Sequence, residues 1–421
     1  MIWRTLNAAL LAALALGPLS SSAAESALES ADDQPRVGSI EYVPMDAPPG
    51  MAQAVIVQGA PLVHTRQILP LDSAGQLVGE DSLDQQIQQV LTNLTYVLQD
   101  CGSGLDQLVR LNIYALAPST IDRVRELLNE QLSPAVRPTI TFVLTPLPLR
   151  GAMVALDAVA MGEDRGDAVV YQRCEAVAGH DRDADAAVLP PGGVAYLSGL
   201  PEDGGLTESA VVRCMTRLMG TLEHLQLAPE HVVHIKVFLR PVTSADQVLR
   251  QIRDFFPDQM TPPVVFVEWL ASVPIEIEMI AQLPRDDDTD DDQTKALLEY
   301  FNPPDVWPSA IFSRVALVRT DRQIYIGSQF AREPSRGQPQ AIVVFEQLEE
   351  ILQRTGSDMR HMAKGTYYVA DHDASRWIDR TRPTVFDPER PPAASKAMVH
   401  AVGLEGRTMT VDMIAVESTD R

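Results

Sequence analysis

The sequence predicts an α+β protein in which one αβ unit is used three times and closes on itself. Two observations carry this. An alternating strand recurs as Val154-Ala-Leu-Asp-Ala-Val-Ala160, Ile275-Glu-Ile-Glu-Met-Ile-Ala281 and Met409-Thr-Val-Asp-Met-Ile-Ala415. Ahead of each copy the same order appears: an amphipathic helix, a strand rich in β-branched and aromatic residues, a shorter helix, and a Pro-containing lead into another strand. Self-similarity at a fixed period sets the architecture before any site is considered. Equivalent strand positions Asn112, Lys236 and Thr366 stand 124 and 130 residues apart.

Copy one spans residues 48–161. Ser82 with Gln85 three residues on is a capping-box spacing that opens a helix. Apolar residues at Leu83, Ile87, Val90, Leu91, Leu94, Val97 and Leu98 give that helix one buried face. Gly102 stands where a helix end calls for positive φ. The strand Leu108 to Tyr114 follows, then a helix from near Ser119. Copy two, residues 192–284, repeats this with a stripe from Val211 to Leu225, the strand Val232 to Leu239, and a helix carrying Val248 and Ile252. Copy three, residues 314–416, has a stripe from Ala341 to Leu352 ended by Gly356. Its strand runs from Lys364 to Val369, and its second helix is expected to be cut short by Pro383.

Acidic stretches separate the copies. Residues 162–191 read as a linker with a lead strand. Residues 285–313 read as a linker holding Asp286-Asp-Asp-Thr-Asp-Asp-Asp292 and a short helix from Lys295 to Phe301. The acidic run lacks the Gly turn and closing Glu of an ordered calcium loop, so it reads as solvated chain. Residues 25–47 form a lead segment and 417–421 a tail.

Residues 1–24 read as a secretory signal. Arg4 gives the positive start, Ala8 to Leu16 a short apolar run, and Ser22-Ala23-Ala24 the small residues at the cleavage site. The expected location is periplasmic or secreted, with no membrane contact after cleavage. A formal net charge of −23 and a pI of about 4.7 argue against a nucleic-acid partner, which demands clustered Lys and Arg. Three cysteines (Cys101, Cys174 and Cys214) are too few for a disulfide framework, and whether two of them pair is open. His231 and His234 are placed on one strand at an odd offset, which points them to opposite faces and away from a shared metal. Asp371-His372-Asp373 is placed in a loop. No motif calls for a metal or a cofactor.

The copies resemble the RidA/YjgF family of small proteins. In copy one the residues that carry the likeness are Gln53-Ala-Val55, His64-Thr-Arg-Gln67, Asn93, Val109 to Tyr114, Pro138-Thr-Ile140 and Val154 to Ala160. Copy two contributes Leu197-Ser-Gly199, Lys236-Val-Phe238, Phe255-Phe-Pro257, Pro262-Pro-Val264 and Ile275 to Ala281. Copy three contributes Ile324 to Gln329, Tyr367-Tyr-Val369, Pro391-Pro-Ala-Ala394 and Met409 to Ala415. The resemblance implies a chorismate-mutase-like α+β fold. Family members are homotrimers with a central sheet barrel, outer helices and clefts between subunits. Three linked modules then imply an intramolecular pseudo-trimer, monomeric as a chain.

The resemblance also implies chemistry. Deaminating members hydrolyse enamine and imine forms of 2-amino acids. An Arg in a Pro-Ala-Arg motif grips the substrate carboxylate through a bidentate contact. A Glu on the last strand moves protons, and a Ser-Gly-Gln turn orients the ligand. In this chain the Arg position holds Ile140, Val264 and Ala394. Arg137 lies three residues before Ile140 and faces the other way. Lys396 shares a strand face with Ala394. The Glu position holds Ala155, Glu276 and Thr410, with Asp157, Glu278 and Asp412 two residues on. The turn survives as Ser198-Gly199, reordered as Gly327-Ser328-Gln329, and replaced by Thr65-Arg66-Gln67.

No copy therefore holds the full set. The expectation is an exported RidA-like protein that binds a small metabolite between modules and lacks 2-iminoacid/enamine deaminase activity. Its ligand-binding residues are Arg66, Gln67, Ser198, Gly199, Gly327, Ser328, Gln329 and Lys396. The alternative is a divergent enamine/imine deaminase or hydrolase at one surviving cleft that contains Glu276 as its catalytic acid, with Arg66 on the opposite wall.

Overall fold

A computed structural model of the chain describes residues 38–204, 209–284, 296–303 and 309–418. The expected signal segment, most of the expected lead segment, the run Asp286 to Asp292 and the last three residues lie outside the described residues.

The elements fall into three rows of one pattern. A lead pair of strands, β1 (Ser39–Val43) and β2 (Ala54–Gln58), comes first. The first unit follows as β3 (Leu62–Thr65), α1 (Leu83–Asp100), β4 (Leu108–Ala115), α2 (Pro118–Gln131), β5 (Thr139–Leu144) and β6 (Val154–Met161). The second row is β7 (Val170–Gln172), β8 (Ala186–Leu189), β9 (Gly193–Glu202), α3 (Ala210–His224), β10 (Val232–Leu239), α4 (Ala245–Arg253), β11 (Val264–Glu268) and β12 (Ile275–Leu283). The third is β13 (Leu298–Phe301), β14 (Val315–Val318), β15 (Arg322–Gln329), α5 (Gly337–Arg354), β16 (Met362–Val369), α6 (His372–Val385), β17 (Ala393–Met398) and β18 (Met409–Val416).

Three open six-stranded sheets share one strand order: β5-β4-β6-β3-β8-β7, β11-β10-β12-β9-β14-β13 and β17-β16-β18-β15-β2-β1. In each, one pair is parallel (β4–β5, β10–β11, β16–β17) and the remaining neighbours are antiparallel. Every lead pair completes the sheet of another unit. β8 pairs with β3, and β14 with β9. β2, from the start of the chain, pairs with β15 in register Val55↔Tyr325. The exchange is cyclic, and no unit supplies its own last two strands.

Sequence patterning explains the layers. Ser82 caps α1 by accepting from Gln85 N, and Gly102 and Gly356 take φ of 64° and 78° after the main helices. The apolar stripe of α1 packs on Leu111 and Ile113 of β4, and α3 and α5 repeat this on their own sheets. Strand alternation sends the other set of side chains to the opposite face. On β6, Leu156 and Ala158 face the helices, while Ala155 and Val159 face residues of the other sheets. Two inner clusters draw on all three sheets. One contains Val159, Tyr196 and Tyr325, the other Tyr114, Phe238 and Tyr368. Along β4, β10 and β16 a buried polar layer lies between them: Arg110 and Asn112, His234 and Lys236, Lys364 and Thr366, opposite Asp157, Glu278 and Asp412.

Four local expectations change. The helix expected from Lys295 to Phe301 is instead strand β13 over Leu298–Phe301, paired with β14. Four residues cannot sustain a helix, but they can extend an existing ladder. The second helix of the third unit is not short. α6 runs 14 residues with Pro383 inside its last turn, where one missing N–H costs a single helical bond. Asp371 is not in a loop but caps α6, accepting from Ala374 N at 2.7 Å. His231 precedes β10 in a 3-10 turn rather than lying on the strand.

Candidate functional site

The three sheets meet at three seams built alike. Just past the end of β3, and at register shifts inside β9 and β15, the amides of Arg66, Ser198 and Gly327 donate to the carbonyls of Asp185, Arg314 and Gln53, at 2.9, 2.8 and 3.2 Å. Next to these, Ala184, Ser313 and Ala52 donate to Thr261, Pro392 and Pro138 of the neighbouring sheet. Each of these segments faces the strand that holds the substituted Arg position: Val264, Ala394 and Ile140.

The first seam joins units one and two. It encloses a cleft of about 480 Å³ lined by Arg66, Gln67, Leu69, Leu249, Arg250, Val264 and Phe266 among others. Arg66 is held from behind. Its Nε donates to Asp185, and its Nη2 to Ala178 O at 2.6 Å. Asp185, fully buried, also accepts from Arg173 and from Cys174 N at 2.8 Å. Gln67 N donates to Val264 O at 3.1 Å, and Gln67 Nε2 to Phe266 O at 3.0 Å.

The second seam joins units two and three. Ala394 N donates to Ser198 Oγ at 2.7 Å, and Gly199 N to Ser395 Oγ at 3.1 Å. Glu276 is buried against Gly199: a Cβ on Gly199 would stand 1.9 Å from Glu276 Oε1, so any larger residue there would displace the Glu276 carboxyl. Arg314 Nη1 donates to Gly199 O at 3.1 Å. Burial, then the neighbouring Glu278, push the Glu276 carboxyl up to about 8, with Lys364, Ser395 and Arg314 pulling the other way. Burial also acts on Glu278, but Lys364 and Lys236 outweigh it and hold that carboxyl below its usual value. Lys364 Nζ donates to Glu278 at 2.6 Å and to Ser395 Oγ at 3.3 Å.

The third seam joins units three and one. Its cleft, about 390 Å³, is lined by Gly327, Ser328, Gln329, Ile140, Phe142 and Arg125 among others. Gln329 Nε2 turns back to Gly327 O at 2.9 Å. Ser328 Oγ is buried without a hydrogen-bond partner among the described residues.

The structure therefore groups the sequence-chosen residues by seam: Arg66 with Gln67, Ser198 with Gly199 and Glu276, Gly327 with Ser328 and Gln329. It does not bring Arg66 and Glu276 into one cleft. Lys396 is held by Asp379 of α6, while its neighbour Ser395 faces Glu278 and Gly199. Sequence reasoning missed Asp185, Arg314 and Gln53. They stand about one repeat apart at one structural position, so the period itself carried the signal. It also missed Ser395, Lys364 and Arg250. Cys101, Cys174 and Cys214 are buried and unpaired. Among the described residues no helix is long and apolar enough to cross a membrane, and no group of His, Cys, Asp and Glu is placed to hold a metal ion.

Like α+β units in tandem, with clefts at the seams between them, define the class. The chain belongs to the Endoribonuclease L-PSP family, the RidA/YjgF proteins, whose profile matches residues 52–161 and 306–417, just over half of the sequence. It is similar to a RutC family protein of Synechocystis, 25% identical over 122 residues that make up 29% of this chain and 94% of that protein. Among solved structures, a Rid-family protein from Yersinia pestis is 25% identical over 29% of this chain and 98% of its own, with a TM-score of 0.26. A hypothetical protein from Giardia lamblia is 27% identical over 30% of this chain and all of its own, with a TM-score of 0.23.

Proposed function

We propose that this protein binds a small organic anion at the first seam and does not carry out the deamination known in its family. The observation behind this reading is an exchange of chemistry. Val264 stands at the Arg position of that seam, and Arg66, pinned by Asp185, lines the same cleft from the facing turn. Loss of a buried bidentate Arg contact costs on the order of 2–5 kcal/mol of binding. A guanidinium tied on its back edge keeps an anion site, while unit one holds Ala155 where the proton-moving Glu of the family would stand. The proposal includes a single-chain, trimer-like body with a central barrel, supported by the cyclic exchange of lead strands and the two clusters shared by three sheets. It also includes export, supported by the charged start, apolar run and small-residue site of residues 1–24. A mature N-terminus at Glu25 is the check.

The test pairs thermal-shift titration of the purified protein with a deaminase assay. Short carboxylates should raise the melting temperature, and freshly generated 2-imino acids should release ammonia no faster than in buffer. Ammonia release well above buffer would overturn the reading.

A second reading places a hydrolase at the second seam. Glu276 favours it, because a carboxyl pushed up to about 8 beside Ser198-Gly199 can hold and donate a proton near neutral pH. Under this reading Glu276→Gln abolishes ammonia release that the wild type shows.

A further inference from the structure

Resting on the ligand-binding reading of the first seam, we propose that its cleft takes an amphipathic monocarboxylate: one anionic end on an apolar body of roughly ten or more heavy atoms. The argument starts from which polar groups the cleft has left to offer. Asp183 is taken up by Arg253, which donates to it through Nε at 2.9 Å and Nη2 at 2.7 Å. Asp185 is saturated by Arg66, Arg173 and the Cys174 amide. Gln67 spends its amide on the backbone of Phe266, donating at 3.0 Å and accepting at 3.4 Å. Those groups are occupied by the protein itself.

Two cationic groups remain, Arg250 and Arg66, with the carboxylate of Asp246 one helical turn before Arg250 on the exposed side of α4. Arg250, exposed on α4, makes no ion pair among the described residues. Arg66 has Nε and Nη2 fixed, which leaves Nη1 with a single long contact of 3.5 Å to Gln67 O. The remaining wall is apolar, from Leu69, Leu249, Val264 and Phe266. The chemistry left to a ligand is thus positive at one end and greasy along the floor. A volume of about 480 Å³ exceeds what a short 2-imino acid fills, so the apolar wall would stay wet without a larger occupant.

The experiment is calorimetric titration of the full chain with 4-phenylbutyrate, acetate and 4-phenylbutan-1-ol. The acid with the apolar body should bind at least tenfold more tightly than acetate and than the alcohol. Arg250→Gln and Arg66→Gln should each weaken 4-phenylbutyrate at least tenfold. Arg125→Gln, in the third-seam cleft, should leave it unchanged. Arg250 is exposed and makes no ion pair among the described residues, so its variant keeps the test valid if Arg66→Gln fails to fold. Equal affinity for the alcohol would overturn the anionic end. Acetate binding as tightly as 4-phenylbutyrate would overturn the apolar body while leaving the small-anion reading intact. Loss of binding in Arg125→Gln would move the site to the other cleft and overturn the proposal. No heat with any probe would overturn both readings together.

Discussion

Glu276 sits at a position where residue chemistry and stability meet. Its carboxyl keeps a proton in the native state up to about pH 8, against an ordinary value of 4.5, because burial and Glu278 oppose its charge. Between those values the native state binds more protons than the unfolded state, so stability falls as pH rises from about 4.5 to about 8. Glutamine mimics the protonated form. Glu276→Gln should therefore match the wild type near pH 4 and exceed it at pH 8 by on the order of a few kcal/mol. Urea midpoints across this pH range read the effect, and parallel curves for the two proteins would count against it. The candidate site was half legible at this scale. Residue types at the family positions are visible in the sequence, and so is the absent Arg. The pinning of Arg66 by Asp185 was not, because the two lie 119 residues apart and their contact depends on β8 reaching β3.

The recurring β-bulge gives the strands a shared task. Register shifts at Leu108/Arg110, Val232/His234 and Met362/Lys364 occur at the same step of β4, β10 and β16. An extra residue re-aims the next side chain, and it sets Arg110, His234 and Lys364 into the buried interior. His234 stays neutral there, since burial and then Lys236 hold its imidazole down at about 3. The two charged members pair across sheets. Lys364 of unit three meets Glu278 of unit two at 2.6 Å, and Arg110 of unit one meets Asp412 of unit three at 3.7 Å. Lys236 of unit two, though buried, is kept protonated by Tyr368 and by Asp157, Glu278 and Asp412. Each cation thus serves a carboxylate from a different unit. Removing one partner strands the other in a low-dielectric interior. Lys364→Met should cost about 3–5 kcal/mol, and Lys364→Met with Glu278→Gln should recover most of it. Chemical denaturation of the four proteins in a double-mutant cycle measures the coupling, and simple additivity would show the pair to be independent. Helices and long strands were legible because their periods are local. β13 was not, since Leu298-Glu-Tyr-Phe301 is too short for a period and is fixed by its ladder to β14.

At the scale of the whole molecule, the cyclic strand exchange removes any special status from the present chain ends. The connection from β6 to β7 spans eight residues, and that from β12 to β13 fourteen, and each joins a unit to the lead pair that extends its own sheet. The chain ends occupy the same topological place, between β18 and β1. Sequence periodicity revealed three copies but not this exchange, because β2 and β15 carry no local mark that they are partners. The consequence is that the break can be moved. A circular permutant that begins at Gly166, ends at Gly162, and joins Val416 to Ser39 through an eight- to fourteen-residue Gly/Ser linker keeps every strand pairing. Loop-closure entropy changes slowly with length, by about 0.6 kcal/mol per doubling, so the new linker and the old one cost nearly the same. The permutant should be a monomer in light scattering, with a single unfolding transition within about 5 °C of the parent. A second permutant, cut inside β2 after Val55, breaks the ladder to β15 and should lose that transition or associate through the exposed edge. Equal stability of the two permutants would mean that β1 and β2 are appended to the third sheet rather than needed to complete it.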